Sequence, residues 1–87
     1  MSERIAITLS RDEALVLFEF FSRFREKEDF TLRHNAEYLA LSRISAQLDK
    51  ALVEPFQSDY SKLLHAARNR VAAGYEGCAP GVLNETA

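Results

Sequence analysis

The chain has 87 residues, a formal net charge of -2 at pH 7 and a hydrophobic fraction of 47%. This length suits one domain that buries about 60 to 65% of its unfolded surface, so it leaves no room for a second. The longest apolar runs are far shorter than the ~20 residues of a membrane span. No targeting segment is recognised, and the negative charge disfavours binding to a phosphate backbone. We therefore expect a cytoplasmic protein that binds neither membranes nor nucleic acids.

The first pattern along the chain is an alternation of apolar side chains at Ile5, Ile7 and Leu9. This period of two is typical of a short β-strand, but the sequence predicts no second strand to pair with it. Two alternatives are open. The segment lies extended across the helices as a hydrophobic strap, or it pairs with the same segment of a second chain, as free strand edges tend to do.

Helix 1 is the most apolar element of the chain. Ser10 and Glu13 have the spacing of a capping box, which predicts a helix that begins at about Arg11 and ends at about Glu28. Its apolar side chains cover an arc of about 200°, twice the usual stripe. They are Val16, Phe20, Phe24, Leu17, Phe21, Ala14 and Phe18. Such a helix needs at least two packing partners.

Helix 2 is predicted over residues 33–53 or 36–53 and is stopped by Pro55, because the residue before a proline avoids helical geometry. Thr31 or Asn35 is expected to cap its beginning. The side chains expected to face the core are Tyr38, Leu41, Ile44, Leu48, Ala51 and Leu52.

Helix 3 is predicted from about Asp59 to Ala73, with Ser58 as its N-cap and Gly74 as its left-handed C-cap. Phe56, in the turn before it, is expected to fill the corner between helices 2 and 3. The apolar face of helix 3 comprises Tyr60, Leu63, Leu64, Ala67 and Val71.

The predicted fold is therefore all-α: a three-helix bundle with an N-terminal extended segment, occupying residues 1–74. Residues 75–87 contain Gly and Pro without periodicity and are predicted to form a mobile C-terminal tail. Cys78, the one cysteine of the sequence, cannot form an internal disulfide and is expected to be a free surface thiol.

No group of residues predicts catalysis, a cofactor or a metal. His34 and Glu37 stand three residues apart, but a stable metal centre needs three or four ligands, and neither His65 nor Cys78 is placed to join them. No arrangement of a nucleophile with a base is suggested, and no glycine-rich loop could hold a phosphate. We expect a protein that is not an enzyme and that carries no metal or cofactor.

Helix 1 also carries an acidic line, Asp12, Glu19 and Glu26, whose members recur every seven residues. We predict that this line lies on the outer face of the helix and contacts a basic partner, for instance the substrate groove of a nuclease toxin. The alternative is that these carboxylates belong to an ordinary solvated face.

Helix 2 carries a second, thin apolar seam opposite its core stripe, formed by Leu39, Ala46 and Val53 at seven-residue intervals. Isolated surface apolar residues are normal. Three of them in register, on a chain whose first helix is unusually apolar, predict a self-association surface and hence a homodimer.

With the segment from Ile7 to Phe21 and the turn from Leu52 to Phe56, the chain resembles a family of short, mostly uncharacterised bacterial helical proteins. Some of these resemble the immunity partners of secreted or contact-delivered toxins. The similarity covers about Ile5 to Val71, and its motifs are structural, so no functional residue is carried over. The resemblance implies a binding protein that neutralises a cognate toxin stoichiometrically. The alternative is a self-associating structural or regulatory protein without a toxin partner.

Overall fold

The computed structural model describes residues 3–27 and 31–82. The elements in chain order are α1 (Arg11–Lys27), α2 (Asn35–Ala51), a short 3₁₀ helix (Glu54–Phe56) and α3 (Tyr60–Ala72). The described residues contain no β-strand, so the predicted all-α class is confirmed. The predicted end of helix 1 at Glu28 lies outside the described residues.

Helix α1 lies between the other two helices and packs against both of them, whereas no comparable contact joins α2 to α3 within the described residues. The prediction that α1 needs two packing partners is confirmed. The wide apolar arc follows from this position, because one side of α1 meets α2 and another meets α3. The central cluster is formed by Ala14, Leu15, Phe21, Leu48, Leu52 and Ala67.

The start of α1 is fixed by the predicted capping box. The backbone N–H of Glu13 donates to Ser10 Oγ at 3.0 Å, and the backbone N–H of Ser10 donates to Glu13 Oε1 at 2.8 Å. Two amide groups that have no partner inside the helix are thereby satisfied. The helix begins at Arg11, as the sequence predicts.

The start of α2 differs from the prediction, because neither Thr31 nor Asn35 caps it. His34 is the N-cap residue, and its extended backbone allows Nδ1 to accept the N–H of Ala36 at 3.0 Å. Glu37 Oε1 accepts a second amide, that of residue 33, at 2.7 Å. The His34 and Glu37 pair, which had the spacing of metal ligands, is therefore part of a helix cap.

Helix α2 ends at Ala51, slightly earlier than predicted, and the chain then turns into the 3₁₀ helix that contains Pro55. Helix α3 follows Asp59, whose side chain makes no capping hydrogen bond, so the prediction of Ser58 as the cap is wrong. After α3, Gly74 has a φ of +88°, as expected for a left-handed residue at a helix end.

Several apolar residues that were predicted to be buried are exposed. Phe56 is 85% exposed because the 3₁₀ helix directs its side chain outward, so the prediction that it fills a corner is wrong. Tyr38, Ile44 and Ala51 of the α2 stripe, and Val71 of the α3 face, are also exposed. The reason is that α2 and α3 each have α1 as their main neighbour, so the margins of their apolar faces are left uncovered.

Residues 3–10 form neither helix nor strand. Ile5 and Ile7 leave 88% and 79% of their surfaces exposed, so the helices of the same chain do not cover this segment. At the other end, residues 75–82 carry no helix or strand, and the remainder of the predicted tail lies outside the described residues.

Candidate functional site

The acidic line does not lie on one open face of α1. The Arg70 guanidinium donates from Nε and Nη2 to Asp12 Oδ2 and Oδ1, at 2.7 and 2.9 Å. Glu19 Oε1 accepts the hydroxyl of Tyr60 at 3.0 Å. The predicted outer-face placement of Asp12 and Glu19 is therefore wrong, because α3 lies along that side of α1. Glu26 is exposed. A partner-binding role for the three carboxylates stays a prediction.

Among the groups in these contacts, Asp12 and Tyr60 have shifted pKa values in the folded protein. The hydrogen bonds from Arg70 stabilise the carboxylate of Asp12 and hold its pKa below the usual value. Burial, with the hydrogen bond to Glu19, raises the pKa of Tyr60 to about 12. Near pH 7 Asp12 is thus ionised and Tyr60 is protonated, which are the forms that hold α1 to α3.

A second ion pair ties the start of α1 to the 3₁₀ helix. Arg11 Nη2 donates to Glu54 Oε1 at 3.0 Å, and Arg11 Nε donates to Glu54 Oε2 at 2.5 Å. The hydrogen bonds from Arg11 hold the pKa of Glu54 below its usual value. The two residues are 43 positions apart, and no periodicity relates them, so the sequence contained no signal for this pair.

An open apolar groove of about 590 Å³ lies between the N-terminal segment and the helices α1 and α2. Ile5, Ile7 and Leu9 form one of its walls. The other walls include Ala14, Leu17 and Phe21 of α1 and Ile44, Leu48, Ala51 and Leu52 of α2. The sequence reasoning missed this groove. Two patterns in the sequence could have indicated it: the alternation of apolar residues over 5–9, and an apolar arc on α1 that is wider than one packing partner needs.

Two members of the predicted self-association seam, Leu39 and Ala46, lie on α2. Val53 lies beyond the end of the helix at Ala51, so the predicted helical register does not extend to it. Leu39 and Val53 leave 48% and 58% of their surfaces exposed, and Ala46 between them is exposed as well. The seam is therefore accessible to another molecule, and self-association through it stays a prediction.

Within residues 3–27 and 31–82, no three His, Cys, Asp or Glu side chains are grouped so that they could hold a metal ion. His65 is exposed on α3, and Cys78 is exposed and forms no disulfide within the described residues. No helix in this part of the chain combines the length and the apolar character that crossing a membrane requires.

Comparison with protein-family models, with curated proteins and with solved structures finds no match. The resemblance to toxin-immunity proteins therefore stays a prediction that rests on the capped Phe-rich helix and the proline stop. The candidate site is defined by the geometry of the chain itself, namely the apolar groove with its exposed N-terminal wall and the α2 seam.

Proposed function

We propose that the protein acts by stoichiometric binding of another protein chain and not by catalysis. The observation that carries this proposal is the exposed apolar wall of the groove, where Ile5 and Ile7 are 88% and 79% exposed. Contiguous exposed apolar surface of this kind marks interaction sites in soluble proteins.

The apolar surface, rather than the acidic line, supplies most of the affinity in this proposal. Complete burial of one isoleucine side chain contributes about 1.5 to 3 kcal/mol. An exposed ion pair typically contributes about 0 to 1 kcal/mol. Two carboxylates of the acidic line are already engaged by Arg70 and Tyr60, and a partner would have to compete with those contacts.

The concrete form that we propose is an immunity protein of the bacterial cytoplasm, which neutralises a cognate toxin by covering it. The resemblance of Ile7 to Phe21 and of Leu52 to Phe56 supports this form. Charge has a smaller part in this version than the sequence suggested, because within residues 3–27 and 31–82 only Glu26 of the acidic line is exposed and makes no hydrogen bond or ion pair. The alternative is a self-associating structural or regulatory protein.

The test is co-expression of the chain with the products of its neighbouring genes, followed by light scattering of the purified complex. An immunity protein restores growth to cells that express the toxin domain and forms a complex of fixed stoichiometry with it. The double variant Ile5→Asp, Ile7→Asp should weaken that complex, whereas Lys62→Ala, an exposed change on α3, should not. Failure of every neighbouring product to bind would contradict the immunity version.

A further inference from the structure

We propose that residues 3–10 pair with the same segment of a second copy, forming an antiparallel two-stranded ribbon over the apolar grooves of both chains. This inference rests on the proposed role of the exposed apolar wall in protein binding. It names a second copy of this chain as the occupant, which is the self-associating alternative.

The first observation is a free backbone edge. Among the described residues, the backbone hydrogen bonds outside the helices begin at Ser10, and none involves residues 3–9. No side-chain hydrogen bond between described residues involves residues 3–9 either. A segment whose N–H and C=O groups are unpaired can add a strand from another molecule.

The second observation is the direction of the apolar side chains. Ile5, Ile7 and Leu9 line the groove, so the alternate residues of the segment share one face. The chain itself does not fill the space that they border, since Ile5 and Ile7 remain mostly exposed. Directly opposed residues of an antiparallel pair point to the same face. A second segment would therefore place three more apolar side chains over the groove.

The third observation is that the segment is self-complementary in one register. When Ile7 faces Ile7 of the second copy, Ile5 of each copy faces Leu9 of the other. In the register centred on residue 6, the apolar side chains of both segments still share one face of the ribbon. That register, however, places Leu9 of one copy opposite Glu3 of the other. In the register centred on Ile7, Glu3 faces no apolar residue, because the position opposite it is Arg11 of the other copy, where α1 begins and where the guanidinium already pairs with Glu54. Burial of one face specifies register strongly, so this pairing is favoured.

The geometry of such a pair also suits the grooves. The two copies would be related by a two-fold axis that passes between the two Ile7 residues, perpendicular to the ribbon. This symmetry places the apolar side chains of both strands on the same side of the ribbon, and α1 and α2 of both copies lie on that side. Two strands by themselves are marginally stable in water and need helices or further strands to cover them. The contact is isologous and closed, so it yields a dimer and not a filament.

The α2 seam is a weaker candidate for the same partner. Its central residue is Ala46, and it offers no free backbone edge, since α2 satisfies its own amides. Ala46→Glu therefore serves as the control surface for the experiment.

The test uses the full chain in a Cys78→Ala background, with Ile7→Cys or Ile5→Cys introduced singly. In the proposed register, the two residues 7 lie about 4.5 to 5.5 Å apart between Cα atoms, which a disulfide can span. The two residues 5 lie four positions apart along the ribbon, about 13 Å, which it cannot span. Ile5 and Ile7 are both highly exposed, so random collisions between chains would form the disulfide equally well from a cysteine at either position.

We expect oxidation to link Ile7→Cys about tenfold more efficiently than Ile5→Cys. A mixture of Ile5→Cys and Leu9→Cys chains should form the mixed disulfide. In sedimentation at tens of micromolar, the wild type and Ala46→Glu should be dimers, and Ile7→Asp a monomer with unchanged helix content. Equal linking of both cysteine variants, or an Ile7→Asp chain that stays dimeric, would overturn the ribbon.

The outcomes separate this inference from the proposed function. A monomeric wild type that still binds a neighbouring gene product would overturn the ribbon and leave the protein-binding function standing. A dimer held by the ribbon that binds no other protein would leave the ribbon standing and overturn the immunity version.

Discussion

Arg70, in the last turn of α3, holds the carboxylate of Asp12 in the first turn of α1 with two hydrogen bonds of 2.7 and 2.9 Å. The beginning of α3 meets the middle of α1 through Tyr60 and Glu19. The two helices therefore run antiparallel. Asp12 lies at the positive end of the α1 dipole and Arg70 at the negative end of the α3 dipole, so each charge also favours its own helix.

Asp12→Asn should make the protein less stable at neutral pH and should flatten its response to acid. The pKa of Asp12 is lowered in the folded state, so its contribution is present above the pKa of the unfolded chain. It is lost as the pH falls through the lower folded value. Urea unfolding from pH 7 to pH 2 should show the two proteins converging at the acid end. Parallel curves would show that the ion pair does not stabilise the fold.

The wild type should lose stability at alkaline pH as Tyr60 ionises, and Tyr60→Phe should remove this loss. The pKa of Tyr60 is raised to about 12 in the folded state, so its contribution is complete below the unfolded value near 10. It is lost as the pH rises toward 12. Thermal unfolding between pH 9 and pH 12 should fall more steeply for the wild type than for the variant. An equally steep fall in both would contradict the burial of the Tyr60 hydroxyl and its contact with Glu19.

Phe21→Ala should cost about 3 to 5 kcal/mol of unfolding free energy, because removal of a buried ring leaves a cavity. Phe21 is 5% exposed and lies in the central cluster. The matched control is Phe56→Ala, at a ring that is 85% exposed, where the change should be within about 0.5 kcal/mol. Chemical denaturation followed by circular dichroism measures both. Similar values for the two variants would show that the core is wrongly assigned.

Ser45→Ala should leave the protein equally stable or increase its stability by about 1 kcal/mol. Ser45 is 2% exposed, and its hydroxyl has no hydrogen-bond partner in the described part of the structure. Replacing the hydroxyl removes an unsatisfied polar group from the core and adds a better helix former. Ser61→Ala, on the exposed surface of α3, controls for helix propensity. A clear loss of stability specific to Ser45→Ala would indicate that the hydroxyl does have a partner.

Charge reversals along the acidic line should have unequal effects. Asp12→Lys places a cation against Arg70, and Glu19→Lys removes the acceptor of the Tyr60 hydroxyl, so both should lower the denaturation midpoint. Glu26→Lys, at an exposed position, should change stability by less than about 0.5 kcal/mol. Midpoints equal to that of the wild type in all three variants would place the whole line on a solvated face.

The sequence predicted those features whose signals are local. The capping box of Ser10 and Glu13 and the apolar periodicity of α1 are contained within a few helical turns. The burial of Phe21 and Phe24 followed from their place in the middle of the arc, and both are buried.

Features that depend on distant neighbours could not be predicted in the same way. The Arg11–Glu54 and Asp12–Arg70 pairs join residues separated by 43 and 58 positions, and only the packing of the helices brings them together. The capping by His34 depended on an extended backbone at a residue that seldom serves as an N-cap. Phe56 belonged to no periodic pattern, so nothing in the sequence indicated which way its ring points.

The central position of α1 has a consequence for the order in which the fold opens. Helix α2 packs mainly against α1, and its first residues, 35–40, are all exposed. Helix α3 packs against α1 as well, but it is also attached by the hydrogen bonds that Arg70 and Tyr60 make to α1. The amide protons of α2 should therefore exchange with solvent deuterium sooner than those of α1 and α3. Detachment of α2 would leave the antiparallel pair of α1 and α3 intact and would expose Phe21 and Leu17 to solvent. This partly unfolded state would be prone to aggregation and accessible to proteases.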